Sequence, residues 1–177
     1  MDCGDFSRRQ QSLCYSAGTE MELQPNGFQQ MAGMVCYYNS SKFHYLYVSI
    51  DEELGRHIRV MSCLPDVVQS DVFSAPIPIP AQGSVRLRVE VDFERLYFAF
   101  RIGGGEWQRL PGPLDASILS DEAASPGSAN FTGSFVGVYC QDLAGTCTAA
   151  DFDYFTYRGR GYHQDPSDEE EPTRADL

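Results

Sequence analysis

The sequence predicts a single all-β domain, an antiparallel two-sheet sandwich of the jelly-roll type, on the basis of three observations. In several segments, apolar and polar residues alternate at every second position, the period of a strand with one buried face. Short polar or glycine-rich turns separate these segments, and no long helical pattern lies between them. Aromatic residues are abundant, with 10 Tyr and 11 Phe, and such side chains pack well on pleated sheets.

Eight segments are candidate strands. Strict alternation, typical of strands with one buried face, occurs in Leu13–Leu23, Val85–Asp92 and Arg95–Ile102. Segments that are apolar on both faces, as expected of central strands, are Ala32–Tyr38, Phe43–Ile50 and Phe135–Cys140. Less regular candidates are His57–Leu64 and Ala150–Tyr157. The number and shortness of these segments favour a sandwich over a parallel sheet.

The connections between these strands also fit antiparallel pairing. Asn39–Lys42 and Asp51–Arg56 have the length and polarity of hairpin turns. Gly103–Gly105 is interpreted as a hairpin rather than a phosphate-binding loop, because no Lys-Ser/Thr pair and no helix follow it. The prolines of Ala75–Pro80 lack ladder donors, which predicts an edge or an extended connection. A short helix is predicted within Leu114–Ala123.

Composition divides the chain into three parts. We expect an N-terminal lead-in over residues 1–10 and the sandwich over residues 11–158. Residues 159–177 are predicted to be an acidic, disordered tail, because the segment from Gln164 to Leu177 holds six acidic residues and one Arg. The tail contributes a large part of the formal net charge of −12.

Charge, hydropathy and cysteine usage exclude several classes of function. A net charge of −12 argues against a nucleic-acid partner, since neutralising phosphates requires clustered Lys and Arg. No stretch approaches the roughly 20 apolar residues that span a bilayer, so no membrane contact is expected, and the first residues do not resemble a secretory signal. The cysteines form no C-x-x-C pair, so neither a metal site nor a cofactor is predicted; structural thiols are favoured over disulfides, which indicates a cytoplasmic location. They are Cys3, Cys14, Cys36, Cys63, Cys140 and Cys147.

No catalytic residue is predicted from the pattern. Asp151 and Asp153 place two carboxylates two residues apart on one strand, an arrangement compatible with glycoside hydrolysis or calcium binding. Apolar neighbours favour a structural or surface role for this pair. His44 has no matched nucleophile motif near it, so a hydrolytic triad has no support.

Aromatic residues offer a second kind of site, a platform on which sugar rings stack. Tyr38, Tyr45 and Trp107 are the candidates. The alternative is that most of the aromatic rings belong to the core, since adjacent aromatic residues such as Tyr37 and Tyr38 must point to opposite faces of a strand.

Beyond these patterns, the chain resembles a known family from about Ser7 to Arg158. The segments that carry the resemblance are Ser7–Gln11, Phe28–Asn39, Phe43–Val48, Asp51–Glu53, Leu87–Val91, Leu114–Glu122, Phe131–Gly137 and Ala150–Phe155. In this order they resemble the C-terminal concanavalin-A-like β-sandwich of glycoside hydrolase family 43 β-xylosidases. The acidic tail lies outside the resemblance.

The resemblance implies a non-catalytic accessory role. In such enzymes an N-terminal five-bladed β-propeller supplies the catalytic carboxylates, and the sandwich packs on it and lends a loop that narrows the active-site pocket for short xylo-oligosaccharides. The position that reaches the pocket corresponds to Phe131, followed by Thr132 and Gly133. The alternatives are a free-standing carbohydrate-binding module, with no catalytic partner, and an enzyme in its own right.

Overall fold

A computed structural model describes residues 2–64, 71–123 and 133–160, and within them two antiparallel sheets face each other. The strands are β1 (Asp2–Arg9), β2 (Cys14–Leu23), β3 (Gln30–Asn39), β4 (Lys42–Asp51), β5 (Gly55–Cys63), β6 (Asp71–Phe73), β7 (Ile77–Pro78), β8 (Val85–Asp92), β9 (Arg95–Ile102), β10 (Gln108–Arg109), β11 (Leu114–Asp115), β12 (Phe135–Asp142) and β13 (Ala150–Gly159). Sheet A has the order β1-β12-β3-β4-β5-β6, with β7 also on β5. Sheet B has the order β10-β9-β8-β2-β13, with β11 also on β9. The all-β sandwich predicted from the sequence is thereby confirmed.

The local predictions largely match this architecture. Each of the eight candidate segments overlaps a strand, and all three predicted hairpin connections join neighbouring antiparallel strands. Within Ala75–Pro80, Ile77–Pro78 forms a two-residue edge pairing with β5, as expected of a proline-rich edge. The short helix predicted within Leu114–Ala123 is a 3-10 helix at Ala116–Leu119.

The N-terminal segment differs from the sequence-based description. The lead-in predicted for residues 1–10 contains strand β1, which pairs with β12 along its whole length, from Asp2 opposite Asp142 to Arg9 opposite Phe135. The sandwich therefore begins before residue 11. The segment shows no apolar alternation because β1 is an edge strand; Phe6, on its inner side, packs edge-on against Phe155 at 5.8 Å yet stays half exposed.

The core lies between the inner faces of the two sheets. Every second residue of β2 and β8 points into it, and these side chains are almost fully buried, as the alternation predicts. Burying each large apolar side chain contributes about 1.5–3 kcal/mol. Tyr15, the largest fully buried side chain of β2, stacks on Tyr157 at 5.0 Å and places its hydroxyl 3.8 Å from the sulfur of Cys36.

The outer face of sheet A carries a layer of contacting tyrosines, among them Tyr45, Tyr47 and Tyr139. Tyr45 stacks on Tyr47 at 5.2 Å, and its hydroxyl donates to the carbonyl oxygen of Tyr139 two strands away, at 3.0 Å. Gly33 lies between them on β3, opposite Tyr47 and Tyr139. A Cβ at this position would overlap the carbonyl oxygen of Leu46 and lie 2.8 Å from the Cα of Tyr47, so the close approach of β3 and β4 requires glycine.

A polar network closes one end of the sandwich, where β3 begins and β12 ends. Asp142, opposite Gln30 in the ladder, accepts hydrogen bonds from the backbone N–H groups of Ala144, Gly145, Thr146 and Thr148. The buried Gln30 amide donates to the hydroxyls of Thr146 and Thr148. The backbone N–H of Thr148, with the others, lowers the pKa of Asp142 to about 2.

Replacing Gly33 tests the close approach of β3 and β4. We expect Gly33→Ala to lower the free energy of unfolding by about 1–3 kcal/mol, because the methyl group must displace the backbone of β4. Gly27→Ala is the matched control, since nothing lies within 4 Å of a Cβ there. Urea unfolding followed by tryptophan fluorescence gives both values, and equal midpoints for the two variants would contradict the packing described.

Asp142 makes stability pH-dependent in a defined window. A carboxyl whose pKa is lowered on folding stabilises the protein above its unfolded value of about 4. For Asp142 this contribution is lost as the pH falls from there toward about 2. We expect Asp142→Asn to be less stable than the unmodified chain at pH 6, and the difference to shrink below pH 4. Asp151→Asn, at an exposed position on β13, is the control. A constant difference between pH 6 and pH 2 would contradict the assignment.

Candidate functional site

The other end of the sandwich, where β3 ends and β12 begins, holds an open cleft. It lies between the start of β2, the β8–β9 turn and the 3-10 helix, and residues that flank the segment 124–132 on both sides also line it. The volume of the cleft is about 800 Å³. Its polar lining includes four carboxylates that sequence reasoning had not singled out. They are Asp92, Glu94, Asp121 and Glu122.

Three buried side chains from sheet A hold the segment that runs along this cleft. The hydroxyl of Tyr38 donates to the carboxylate of Asp121. The ammonium of Lys42, the single lysine of the sequence, donates to the carbonyl oxygen of Ser120 at 3.3 Å and lies 4.7 Å from the centre of the Tyr38 ring. Both side chains are about 2% exposed, so their polar atoms are shielded from water and strongly favour these partners.

His44 forms a further attachment to the same segment. Its Nε2 lies 3.0 Å from the carbonyl oxygen of Asp115, and its Nδ1 lies 2.7 Å from the hydroxyl of Ser62. Because a carbonyl only accepts, Nε2 carries the proton and Nδ1 accepts from Ser62. Burial lowers the pKa of His44, which favours this neutral form. The side chain of Asp115 caps the 3-10 helix by accepting from the N–H of Ser117, so His44 fixes the start of that helix.

The chain returns to sheet A through Gly133 and Ser134. Gly133 has φ +75°, and a Cβ there would lie 3.2 Å from a guanidinium nitrogen of Arg9, so both backbone and space favour glycine. The backbone N–H of Gln10 donates to the carbonyl oxygen of Ser134 at 2.8 Å. Of the loop residues predicted to reach a pocket, Gly133 is therefore placed at the cleft, whereas Phe131 and Thr132 lie outside the described residues.

An apolar pair forms part of the cleft rim. Leu13 and Phe93 are each about half exposed, and the backbone N–H of Phe93 donates to the carbonyl oxygen of Leu13 at 3.0 Å. Phe93 occupies the β8–β9 turn with φ +53°, a conformation that is costly for a bulky residue. Gly or Asn is the usual residue at such a turn position. The turn itself therefore does not account for the phenylalanine, whose apolar side chain lies at the rim of the cleft.

The predicted sugar-stacking residues separate into two groups. Tyr38 is 2% and Tyr45 1% exposed, so neither ring offers a face to a sugar. Tyr38 points inward to Asp121, and Tyr45 is covered within the tyrosine layer, an arrangement that strand alternation alone does not reveal. Trp107 is 39% exposed and lies between β9 and β10, away from the cleft.

The carboxylate pair of β13 does not belong to the cleft. Asp151 and Asp153 are exposed, and the register of β13 on β2 shifts between Phe152 and Tyr154, so a bulge interrupts the simple i, i+2 arrangement. Among the residues that the structure describes, no three His, Cys, Asp or Glu side chains form a group suited to a metal ion. Across the same residues, no helix is long and apolar enough to cross a membrane.

Comparison with known proteins agrees with this architecture. Residues 6–158 match the family described as the β-xylosidase C-terminal concanavalin A-like domain. A protein of Escherichia coli (strain K12) is 41% identical over 152 residues, which are 85% of this chain and 28% of that protein. A β-xylosidase of Bacillus subtilis (strain 168) is 38% identical over 153 residues, 86% of this chain and 28% of that enzyme.

Solved structures give the same result. The crystal structure of a xylan β-1,4-xylosidase from Bacillus halodurans superposes with a TM-score of 0.81 at 36% identity, covering 87% of this chain and 29% of that enzyme. The chain thus spans less than a third of the length of the relatives it matches. The match extends over most of the chain, and the chain belongs to the family of β-xylosidase C-terminal concanavalin A-like domains.

Proposed function

We propose that the chain is the accessory β-sandwich of a family 43 glycosidase of the β-xylosidase/α-arabinofuranosidase type, packing on a catalytic β-propeller and narrowing its pocket. The observation that carries this proposal is the tethering of Asp115, Ser120 and Asp121 at the cleft by three buried side chains of sheet A. A loop anchored in this way can present a side chain to a partner at a defined position. In this role the chain contributes shape and no catalytic group.

Exposed apolar side chains supply a surface for such a partner. Leu13 and Phe93 form part of the cleft rim, and the exposed Tyr37 lies between the half-buried Phe135 and Phe43 in a cross-strand row on the outer face of sheet A. Aromatic residues are enriched in protein interfaces because they bury large areas at low entropic cost. Cys14 and Cys36 are buried thiols, which further supports a reducing, cytoplasmic setting for the assembly.

Hydrolysis of a chromogenic xyloside tests the accessory role. The samples are this chain, a family 43 propeller produced without its own sandwich, and the two mixed. We expect activity or a lowered KM only in the mixture. Phe131→Ala should reduce that gain at least tenfold, whereas Phe28→Ala, at a 72% exposed position near the opposite end, should leave it unchanged.

Two results would contradict the proposal. Equal losses in the two phenylalanine variants would show that the loop has no special role. Turnover by the chain alone would instead direct attention to the cleft carboxylates Asp92, Glu94, Asp121 and Glu122 as a catalytic set.

The attachment of the loop can be tested separately from activity. Tyr38→Phe removes the hydroxyl that bonds Asp121 but keeps the ring beside Lys42, so we expect a loss of about 1–3 kcal/mol and faster amide exchange over residues 116–123. Tyr37→Phe, at the neighbouring exposed position, should change stability by less than about 0.5 kcal/mol. Unchanged exchange in Tyr38→Phe would show that the segment is held by other contacts.

A further inference from the structure

The connection between β2 and β3, residues 24–29, contains the dipeptide Asn26–Gly27, which the accessory role does not use. It lies at the end of the sandwich opposite the cleft, where β3 begins at Gln30. Asn-Gly is a frequent turn sequence, since both residues adopt conformations that other residues avoid. It is also a reactive sequence, because glycine has no side chain to shield its backbone nitrogen from the amide carbon of the preceding asparagine.

The dipeptide is open to solvent. Asn26 is exposed, and Phe28 beyond it is 72% exposed, so the turn projects from the surface. A Cβ on Gly27 would have nothing within 4 Å. Within the part of the chain that the structure describes, neither the side-chain amide of Asn26 nor the backbone N–H of Gly27 has a hydrogen-bond partner. The two groups that can react with each other are therefore not held by other contacts.

The backbone on either side of these two groups is held by Gln30. The backbone N–H of Asn26 donates to the side-chain oxygen of Gln30 at 2.6 Å, and the backbone N–H of Gln30 donates to the carbonyl oxygen of Gly27 at 3.1 Å. Gln30 is 2% exposed, and its side-chain amide also donates to the hydroxyls of Thr146 and Thr148. A change in the backbone between residues 26 and 27 therefore acts directly on a buried polar network.

We propose that Asn26 is a spontaneous modification site, at which the folded chain converts the side-chain amide to a carboxylate through a cyclic imide with Gly27. Hydroxide takes the proton of the Gly27 backbone N–H, and this nitrogen attacks Cγ of Asn26. The N–Cγ bond forms, the Cγ–Nδ2 bond breaks, and ammonia leaves with a proton from water. Water then adds to one of the two imide carbonyl carbons and opens the ring. Water and hydroxide are the only co-reactants.

The carbonyl that water attacks decides the effect on the fold. Opening at Cγ gives aspartate with an unchanged backbone, so both hydrogen bonds to Gln30 remain. Opening at the main-chain carbonyl gives isoaspartate, whose backbone runs through Cβ and Cγ and is one methylene group longer. The extra length lies between the two backbone groups that Gln30 binds. Because Gln30 is buried, water does not replace a partner that it loses, and the isoaspartate form is less stable.

Peptide mass spectrometry of the folded full chain, incubated at mildly alkaline pH, tests the proposal. The mass gain of an amide-to-carboxylate exchange is followed at residues 26 and 39, and isoaspartate is quantified by enzymatic methylation. We expect Asn26 to react at least about tenfold faster than Asn39. Asn39 is the internal control, since its side-chain oxygen accepts from the backbone N–H of Ser41 at 2.9 Å and the next residue, Ser40, carries a side chain.

Two comparisons separate the fold from the dipeptide alone. Gly27→Ala places a methyl group where nothing lies within 4 Å, so the chain still folds, and we expect the rate at residue 26 to fall about tenfold. Incubation in urea gives the rate for the unfolded chain, and the folded chain should react within about tenfold of it because the turn is open. Equal rates at Asn26 and Asn39, an unchanged rate in Gly27→Ala, or reaction of the unfolded chain alone would each overturn the proposal.

Urea unfolding of the separated products tests the role of Gln30. The isoaspartate form is expected to unfold at a lower urea midpoint than the Asn26→Asp variant, which has the same charge and an unchanged backbone. Equal midpoints would contradict the stated effect on the buried network. These measurements need neither a propeller nor turnover, so their outcome is independent of the accessory role.

Discussion

The crossing of the chain from sheet B to sheet A is the constraint on which the cleft depends. After β11 pairs with β9 in sheet B, the next described strand of regular length is β12, which inserts between β1 and β3 of sheet A. The described first part of this connection, residues 115–123, lies along an open end of the sandwich, where most backbone groups have no ladder partners, and we call it the crossing segment. Buried polar side chains at that end provide those partners.

This constraint explains why charged and polar residues occupy inner positions of β3 and β4. Tyr38, Lys42 and His44 lie where apolar side chains would serve the core, yet each donates a hydrogen bond to the crossing segment. A buried donor without a partner costs about 1–3 kcal/mol, more when charged, so the sheet and the crossing segment stabilise each other. Because these hydrogen bonds hold the crossing segment in place, the cleft beside it is a defined surface.

Sequence patterns were sufficient to predict those strands whose alternation can be read from neighbouring residues. Period-two alternation located β2, β8 and β9, and glycine, proline and polar turns located their boundaries. Strand β1 gave no such signal, because an edge strand buries little and its pairing with β12 joins residues more than 120 positions apart. The hydrogen bonds that hold the crossing segment were missed for the same reason. Tyr38 and Asp121 are far apart in the sequence and meet only because sheet topology brings them together.

Burial on the outer faces was the hardest property to predict. Alternation assigns Tyr45 to the outside of sheet A, but its ring is covered there because it stacks on Tyr47 and its hydroxyl reaches the carbonyl oxygen of Tyr139. The resemblance to family 43 domains implies a pocket-narrowing loop at Phe131–Gly133, of which Gly133 lines the cleft.

Alternation also separates the core from the cleft physically. In β8 and β9 one set of side chains fills the core and holds the two sheets together. The cleft is built from strand ends, the β8–β9 turn and the crossing segment. A sandwich of this kind can therefore keep its core while the residues at this end change, because the two regions share a backbone but few side chains.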